Sequence, residues 1–335
     1  MKVRRLAVAL AVAVCAPAFV QCSADGGGSS GEAGVVRFGS YQPSSLDPRK
    51  SGTLDAVFLT PVYDSLIHRT PAGEIEPGLA TEWAFSVDGK SFDLTLREGV
   101  TFQDGEKFDA AAVKKNLESA KAPGAARAGE LEAIAQVEVV DELHVRLMLS
   151  RPASQLVGVL AGEGGMMVSP KSLEDPDLAT SPVGAGPYKL TKYTQGEIEF
   201  TAWDGYWDRD SVKNDKLVFV VNADTNTQFR ALKSGQLNFY ELPFSLIQPA
   251  KDAGIDVNEG RSTNVWQLIL NTTVPELAKP EVRKAISLAI DRTAIADGVF
   301  GGLCEPTVQP FGKDFLGHVG RLDPLATKRD LAEAK

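Results

Sequence analysis

An α/β fold is the class this chain predicts, and three observations predict it. Strand-like and helix-like segments alternate from residue 35 onward. Residues 217–221 form an all-apolar run suited to a strand covered on both faces. A helix with a clear apolar stripe begins at Pro280. In chain order, residues 35–38 (VVRF) make a short opening strand. Residues 40–48 follow as a loop rich in turn formers, including Pro43 and Pro48. Asp88-Gly89 is a tight turn leading into a strand that alternates through Phe92, Leu94 and Leu96. Asp104-Gly105 is a second turn, and Asp109 is placed to cap a helix. Residues 137–149 (VEVVDELHVRLML) read as a hairpin with Leu143, Val145, Leu147 and Leu149 on one face. Beyond the apolar run, Asp224 caps a helix that runs through Leu232 and stops at Gly235. Residues 265–270 are strand-like. The helix from Pro280 carries Val282, Ala285, Ile286, Ala289 and Ile290 at the three-and-four spacing of a buried stripe. Asp291 then caps a further helix to about Val299, broken by Gly301-Gly302.

The N-terminus carries an address. Lys2, Arg4 and Arg5 precede an apolar run over residues 6–20, shorter than the roughly 20 residues needed to cross a bilayer core but suited to a secretory signal. Cys22 then opens the low-complexity stretch SADGGGSSG, which resembles the tether of a bacterial lipoprotein. Gln21 departs from the small residue usual before such a cysteine, so ordinary secretion stays open beside lipidation of Cys22. Losing residues 1–21 removes three basic and no acidic residues. That leaves 32 basic against 44 acidic and a net charge of −12, a balance that argues against nucleic acid or an anionic membrane surface as the ligand. Of the three cysteines, Cys15 falls in the signal and Cys22 at the tether, so Cys304 is left without a disulfide partner. With 43% hydrophobic residues, the remaining roughly 300 residues suffice for two domains.

Several chemical signatures fail on inspection. Gly184-Ala185-Gly186 runs straight into Pro187, which argues against a phosphate cradle. His68, His144 and His318 are scattered, with no zinc-like spacing. His68 and His144 read as ordinary surface or strand residues. Neither a Gly-x-Ser-x-Gly elbow nor a His-Glu-x-x-His motif is present. Asn271-Thr272-Thr273 has only the form of a glycosylation acceptor. No cofactor is expected.

Residues 78–117 carry a resemblance. Ala80, Trp83, Asp88-Gly89-Lys90, Leu96-Arg97, Gly99-Val100, Phe102, Asp104-Gly105, Phe108 and Val113 resemble, in type and spacing, the signature of the family 5 extracellular solute-binding proteins. These are the peptide- and nickel-binding receptors that feed ABC importers. The resemblance continues through Gly184-Ala185-Gly186-Pro187-Tyr188 (with Ala185 for the usual threonine), Tyr206-Trp207, residues 231–237 and 266–271, Val282-Arg283-Lys284-Ala285-Ile286 and Ile290-Asp291-Arg292.

The resemblance implies a periplasmic-binding-protein-like two-lobed fold of type II with an extra domain II. Domain I would comprise residues 33–60 and 182–255, domain II residues 61–181, and the start of domain III residues 256–335. Members are longer, so the fold would be incomplete at the C-terminus, with 327–335 resembling a helix part-way through domain III. The acidic group that receives a peptide's amino terminus would then lie outside this sequence. The implied protein is a non-enzymatic, monomeric, extracytoplasmic receptor, held to the membrane through Cys22 and docking on an ABC permease complex. It would close its lobes on a short peptide. Nickel complexes, oligosaccharides and other small solutes stay open.

Tyr41, Gln42 and Ser45 follow the first strand, where α/β folds tend to place ligand groups, against the alternative of a solvated turn. Trp266 and Asn271 bound the stretch resembling a crossover strand. For Trp266, core packing competes with stacking on ligand. Met166-Met167 would be either core or an adaptable apolar wall. Rival readings from other classes are a secreted peptide or ester hydrolase and a shortened chain that no longer binds ligand.

Overall fold

The structure, a computed structural model, describes residues 33–52, 54–259, 265–313 and 317–335. The signal-like run with Cys15, the candidate lipidation residue Cys22 and nearly all of the tether-like stretch lie outside the described residues. Strand β1 (Val35–Ser40) leads through a long loop to the single-turn helix α1 (Ala56–Leu59). A short hairpin of β2 (Ile67–Arg69) and β3 (Ile75–Pro77) comes next. Then come β4 (Ala80–Phe85), β5 (Ser91–Leu96), helix α2 (Ala110–Ala120), β6 (Ile134–Val139), β7 (His144–Leu149) and the short helix α3 (Leu156–Leu160). The chain continues through β8 (Tyr188–Tyr193), β9 (Glu197–Ala202), β10 (Lys216–Val221), α4 (Thr225–Lys233), β11 (Phe239–Tyr240) and α5 (Phe244–Asp252). It ends with α6 (Pro275–Ala278), α7 (Pro280–Ala289), α8 (Arg292–Phe300) and α9 (Asp323–Ala326).

Two sheets dominate. One is antiparallel, in the order β4-β5-β7-β6, and its register sets Phe92 opposite Leu147 and Leu94 opposite Val145. Phe92, Leu94 and Leu96 point inward, with Val145, Leu147 and Leu149 beside them. Val113 and Leu117 of α2 cover the same core. The strict alternation in β5 makes this face obligatory, since a one-residue slip would turn every apolar side chain to water. Helix α2 starts where expected, because the Asp109 carboxylate accepts a hydrogen bond from Ala112 N at 2.8 Å, a cap that contributes about 1 kcal/mol. The turns at Gly89 and Gly105 place both glycines at positive φ, +66° and +87°.

The other sheet is mixed, in the order β11-β1-β10-β9-β8, with β1 parallel to both β10 and β11. Its core gathers Leu46, Phe58, Leu59, Tyr63, Tyr188, Ile198, Phe200 and Phe219, with Phe38 stacked on Phe219 at 4.9 Å between ring centroids. The apolar run at 217–221 is an interior strand of this sheet, though only Val218 and Phe219 are fully buried. Met166 belongs to this core and Met167 to the other, so the pair is a seam between two cores and not a wall of one pocket. Among the described residues no helix is long and apolar enough to cross a membrane.

The C-terminal stretch departs from expectation in two places. Residues 265–270 form no strand, and Trp266 (74% exposed), Leu268 and Ile269 face solvent. A strand exists only through a ladder, and among the described residues none runs beside this segment. Residues 327–335 form turns and not a regular helix: the Asp330 carboxylate accepts from Ala332 N at 3.1 Å and Glu333 N at 2.9 Å, and its carbonyl from Ala334 N at 3.1 Å, a single capped turn over 331–334. Helix α7 forms as expected, but its stripe is only half-buried: Val282, Ala285 and Ile286 are partly covered and Ala289 is exposed. Asp291 caps α8 through Ala294 N at 2.9 Å, and Gly301 ends it in the left-handed region.

Candidate functional site

Three parallel strands, β1, β10 and β11, end on the same side of the mixed sheet. The loops that leave them carry Tyr41-Gln42, Asn222 with Asp224, and Glu241. In open α/β sheets ligands collect at such carboxyl ends. Tyr41 donates its hydroxyl hydrogen to the Leu54 carbonyl and sets its ring edge-on against Phe58 at 5.4 Å. Its hydroxyl is held above the ordinary tyrosine pKa, first by partial burial, then by the negative charges of Asp55 and Glu241. Tyr240 is raised for parallel reasons, burial first and then Asp224 and Glu241. Gln42 donates from Nε2 to the Tyr193 hydroxyl at 3.0 Å, so the exposed end of the loop is steadied from β8.

The inner end of the loop is anchored. Tyr63 Oη donates to the Leu46 carbonyl at 2.9 Å, and Leu46 N donates to the Ala179 carbonyl at 3.0 Å. Ser45 is 6% exposed, with its Oγ accepting from Asp47 N at 3.0 Å, so it shapes the turn from inside the loop. Of the five residues singled out for ligand contact, Tyr41 and Gln42 thus stand together at the surface and Ser45 lies beneath them. Trp266 sits with Phe300 at 5.8 Å, and Phe300 in turn packs on Phe244 at 5.1 Å. Asn271 Oδ1 accepts from Thr273 N at 3.1 Å and from Thr273 Oγ1 at 2.8 Å. Among the described residues no hydrogen bond or aromatic contact joins Trp266 or Asn271 to Tyr41 and Gln42.

Tyr193, Tyr240 and Glu241 were not anticipated. Glu241 follows the short strand at 239–240 and obeys the same strand-end rule that points to Tyr41. Tyr193 carried no local signal, since its pairing with Gln42 spans 151 residues. Together the strand ends present a phenol, a carboxamide and a carboxylate to solvent, a set that can hydrogen-bond a polar solute and attract a cationic group on it. The three histidines each pair with an aspartate: His68 with Asp64, His144 with Asp141 and His318 with Asp323. Among the described residues none hydrogen-bonds a serine or cysteine.

The glycine-rich element at 184–186 proves to be a crossing of two chain segments. Gly186 N donates to the Val62 carbonyl and Tyr188 N to the Pro61 carbonyl, both at 2.8 Å, while Gln103 Nε2 donates to the carbonyls of Gly186 and Tyr188 at 3.1 and 2.8 Å.

An α/β chain with two sheets and polar groups at parallel strand ends defines a fold class, and comparison with known proteins gives the family. The profile described as "Bacterial extracellular solute-binding proteins, family 5 Middle" matches residues 74–335, and the chain belongs to this family. The glutathione-binding protein GsiB of Salmonella paratyphi A is 32% identical over 271 residues, covering 78% of this chain and 53% of that protein. Among solved structures, the binding protein AgaA of A. tumefaciens, in complex with agropinic acid, superposes with a TM-score of 0.78 at 30% identity, over 90% of this chain and 62% of that one. The periplasmic binding protein DppA of Helicobacter pylori, in complex with the peptide STSA, gives 0.77 at 25% identity over 90% and 64%. The fold is therefore that of the two-lobed periplasmic binding proteins, and the chain spans about half the length of the curated relatives it matches.

Proposed function

We propose that this chain is the solute-capturing component of a bacterial ABC importer, working outside the cytoplasm and taking short peptides without altering them. The observation that carries the reading is family membership over residues 74–335. The peptide in the DppA complex and the glutathione specificity in the name of GsiB support a peptide-like ligand. Domain I would consist of residues 33–60 and 182–255, domain II of 61–181, and domain III would begin at 256. Ligand would rest on Tyr41 and Gln42 and be enclosed from the side of Trp266 and Asn271. A solute touching both lobes favours the closed state, which is what a permease would read.

The test uses the full chain after signal removal, scanned for thermal unfolding with glutathione, a tetrapeptide or a nickel–histidine complex at ~1 mM. A peptide is expected to raise the transition, by as much as about 2.7 kcal/mol of added stability at a hundredfold excess over Kd. Mass spectrometry of the denatured complex should return the peptide intact. Tyr41→Ala is expected to weaken affinity roughly tenfold, or about 1.4 kcal/mol. No shift with either peptide, or steady conversion of the captured peptide to product, overturns the reading.

Attachment to the membrane through a lipid on Cys22 is part of the same proposal. Cys22→Ala should move the protein from the membrane fraction to the soluble fraction on cell lysis. A wild-type chain recovered soluble with an unmodified Cys22 would refute that anchor.

A further inference from the structure

Asp64 is a carboxylate withdrawn from water, 5% exposed, at a point where three parts of the chain meet. It lies between α1 and β2, and its backbone carbonyl accepts from Met167 N at 2.9 Å. Side-chain Oδ1 accepts from Ser65 N at 2.8 Å and from His68 Nε2 at 2.5 Å. Oδ2 accepts from the Tyr206 hydroxyl at 3.1 Å and from Trp207 Nε1 at 2.7 Å. The Arg97 guanidinium lies over the Trp207 ring, 3.7 Å from its centroid. A buried carboxylate is tolerated only when its lone pairs are filled and its charge is answered. Of its four donors, His68 alone changes charge near neutral pH. The imidazole is also confined, since a Cβ placed on Gly78 would lie 2.6 Å from His68 Cδ2.

We propose that Asp64 and His68 form a proton-operated latch, joining the β2–β3 hairpin to the segment after β9 that bears Tyr206 and Trp207, closed while the imidazole is protonated and loosened when the proton leaves. The charged groups around His68 come from every side. Asp64 and, across the hairpin, Glu76 favour the imidazolium, whereas Arg97 at the end of β5 opposes it. Asp208 lies near Tyr206, whose own hydroxyl is raised far out of the physiological range by burial first and then by Asp64, so it stays neutral.

The hydrogen bond to Asp64 is the largest influence on His68 and holds its pKa above the ordinary 6.5, against the opposing pull of burial. A folded-state pKa raised above the unfolded one means that the pair's contribution is complete below about 6.5. It is lost as pH rises through the folded value of His68. Neutral imidazole can still donate to Asp64, but Arg97 is then the only cation among these neighbours.

The test is an NMR titration of the full chain from about pH 5 to 9. It follows the His68 ring, assigned by its loss in His68→Gln, and the Trp207 indole N–H, assigned by its loss in Trp207→Phe. The expected result is a His68 midpoint above 6.5, with the Trp207 resonance moving at that same midpoint in the wild type and standing still over that range in His68→Gln. A His68 midpoint at or below 6.5, or a Trp207 resonance that does not follow it, overturns the latch. Sequence-specific triple-resonance assignment of the wild-type chain identifies both signals if a variant fails to fold, and the two wild-type readouts then decide.

Discussion

Gly186→Ala should unfold at a lower temperature than the wild type, with a loss of about 1–3 kcal/mol and a fall of roughly 2–5 °C in Tm. A Cβ at this position would lie 2.5 Å from the Val62 carbonyl carbon, 2.6 Å from its oxygen and 2.8 Å from the Pro61 oxygen. All three are backbone atoms, so no rotamer change relieves the clash. Relief must come from parting the two segments, and that stretches the bonds from Gly186 N and Tyr188 N to residues 61 and 62. Gly186 is not among the glycines with positive φ, so the demand is for space and not for an unusual backbone conformation. Gly196, in the turn between β8 and β9, supplies the control. Nothing lies within 4 Å of a Cβ built there, and Gly196→Ala should melt close to the wild type. Circular dichroism on both variants checks the expectation, and equal melting temperatures would refute it.

How much of this was legible in the chain depends on the range of the interaction concerned. Signals acting over a few residues were read correctly. The aspartate caps at 109, 224 and 291 each accept a backbone N–H three residues on, and Gly89, Gly105, Gly235 and Gly301 each adopt positive φ. The β6–β7 hairpin and the inward face of β5 also followed from alternation alone. Partners distant in sequence were not legible. That β1 lies between β10 and β11 depends on pairings across about 180 to 200 residues, and apolar alternation is silent on them. His68 looked like an ordinary strand residue because two of Asp64's donors, Tyr206 and Trp207, lie more than 140 residues away. Apolar character at 265–270 predicted a strand, yet a ladder also needs a neighbour, and propensity does not supply one. The rule about strand ends put Tyr41 and Gln42 in the loop after β1, where they stand at the surface, but it could not tell that Ser45 would turn inward to hold Asp47 N.

Arg49→Ala is expected to cost about 3–5 kcal/mol, more than Gly186→Ala, because it leaves a buried charge unanswered. Asp47 is 1% exposed, and Arg49 grips it as a fork, Nε to Oδ1 and Nη2 to Oδ2, both at 2.9 Å. The remaining nitrogen reaches further: Nη1 donates to Ser119 Oγ at 3.0 Å on α2 and to the Leu173 carbonyl at 2.9 Å. One guanidinium therefore fastens the loop that presents Tyr41 and Gln42 to the helix of the antiparallel sheet. With the side chain gone, Asp47 keeps the backbone donor Arg49 N, and Lys50 Nζ stands off at 4.0 Å on an exposed side chain. Arg49→Lys should recover only part of the loss, since an ammonium is a point charge that cannot meet both carboxylate oxygens while also holding Leu173. The penalty belongs to the stranded carboxylate, so adding Asp47→Asn to Arg49→Ala should restore stability relative to Arg49→Ala alone. Urea unfolding of the three variants separates these cases. If Arg49→Ala falls within about 0.5 kcal/mol of the wild type, in the range of an ordinary surface change, Asp47 is not the buried charge that its surroundings indicate.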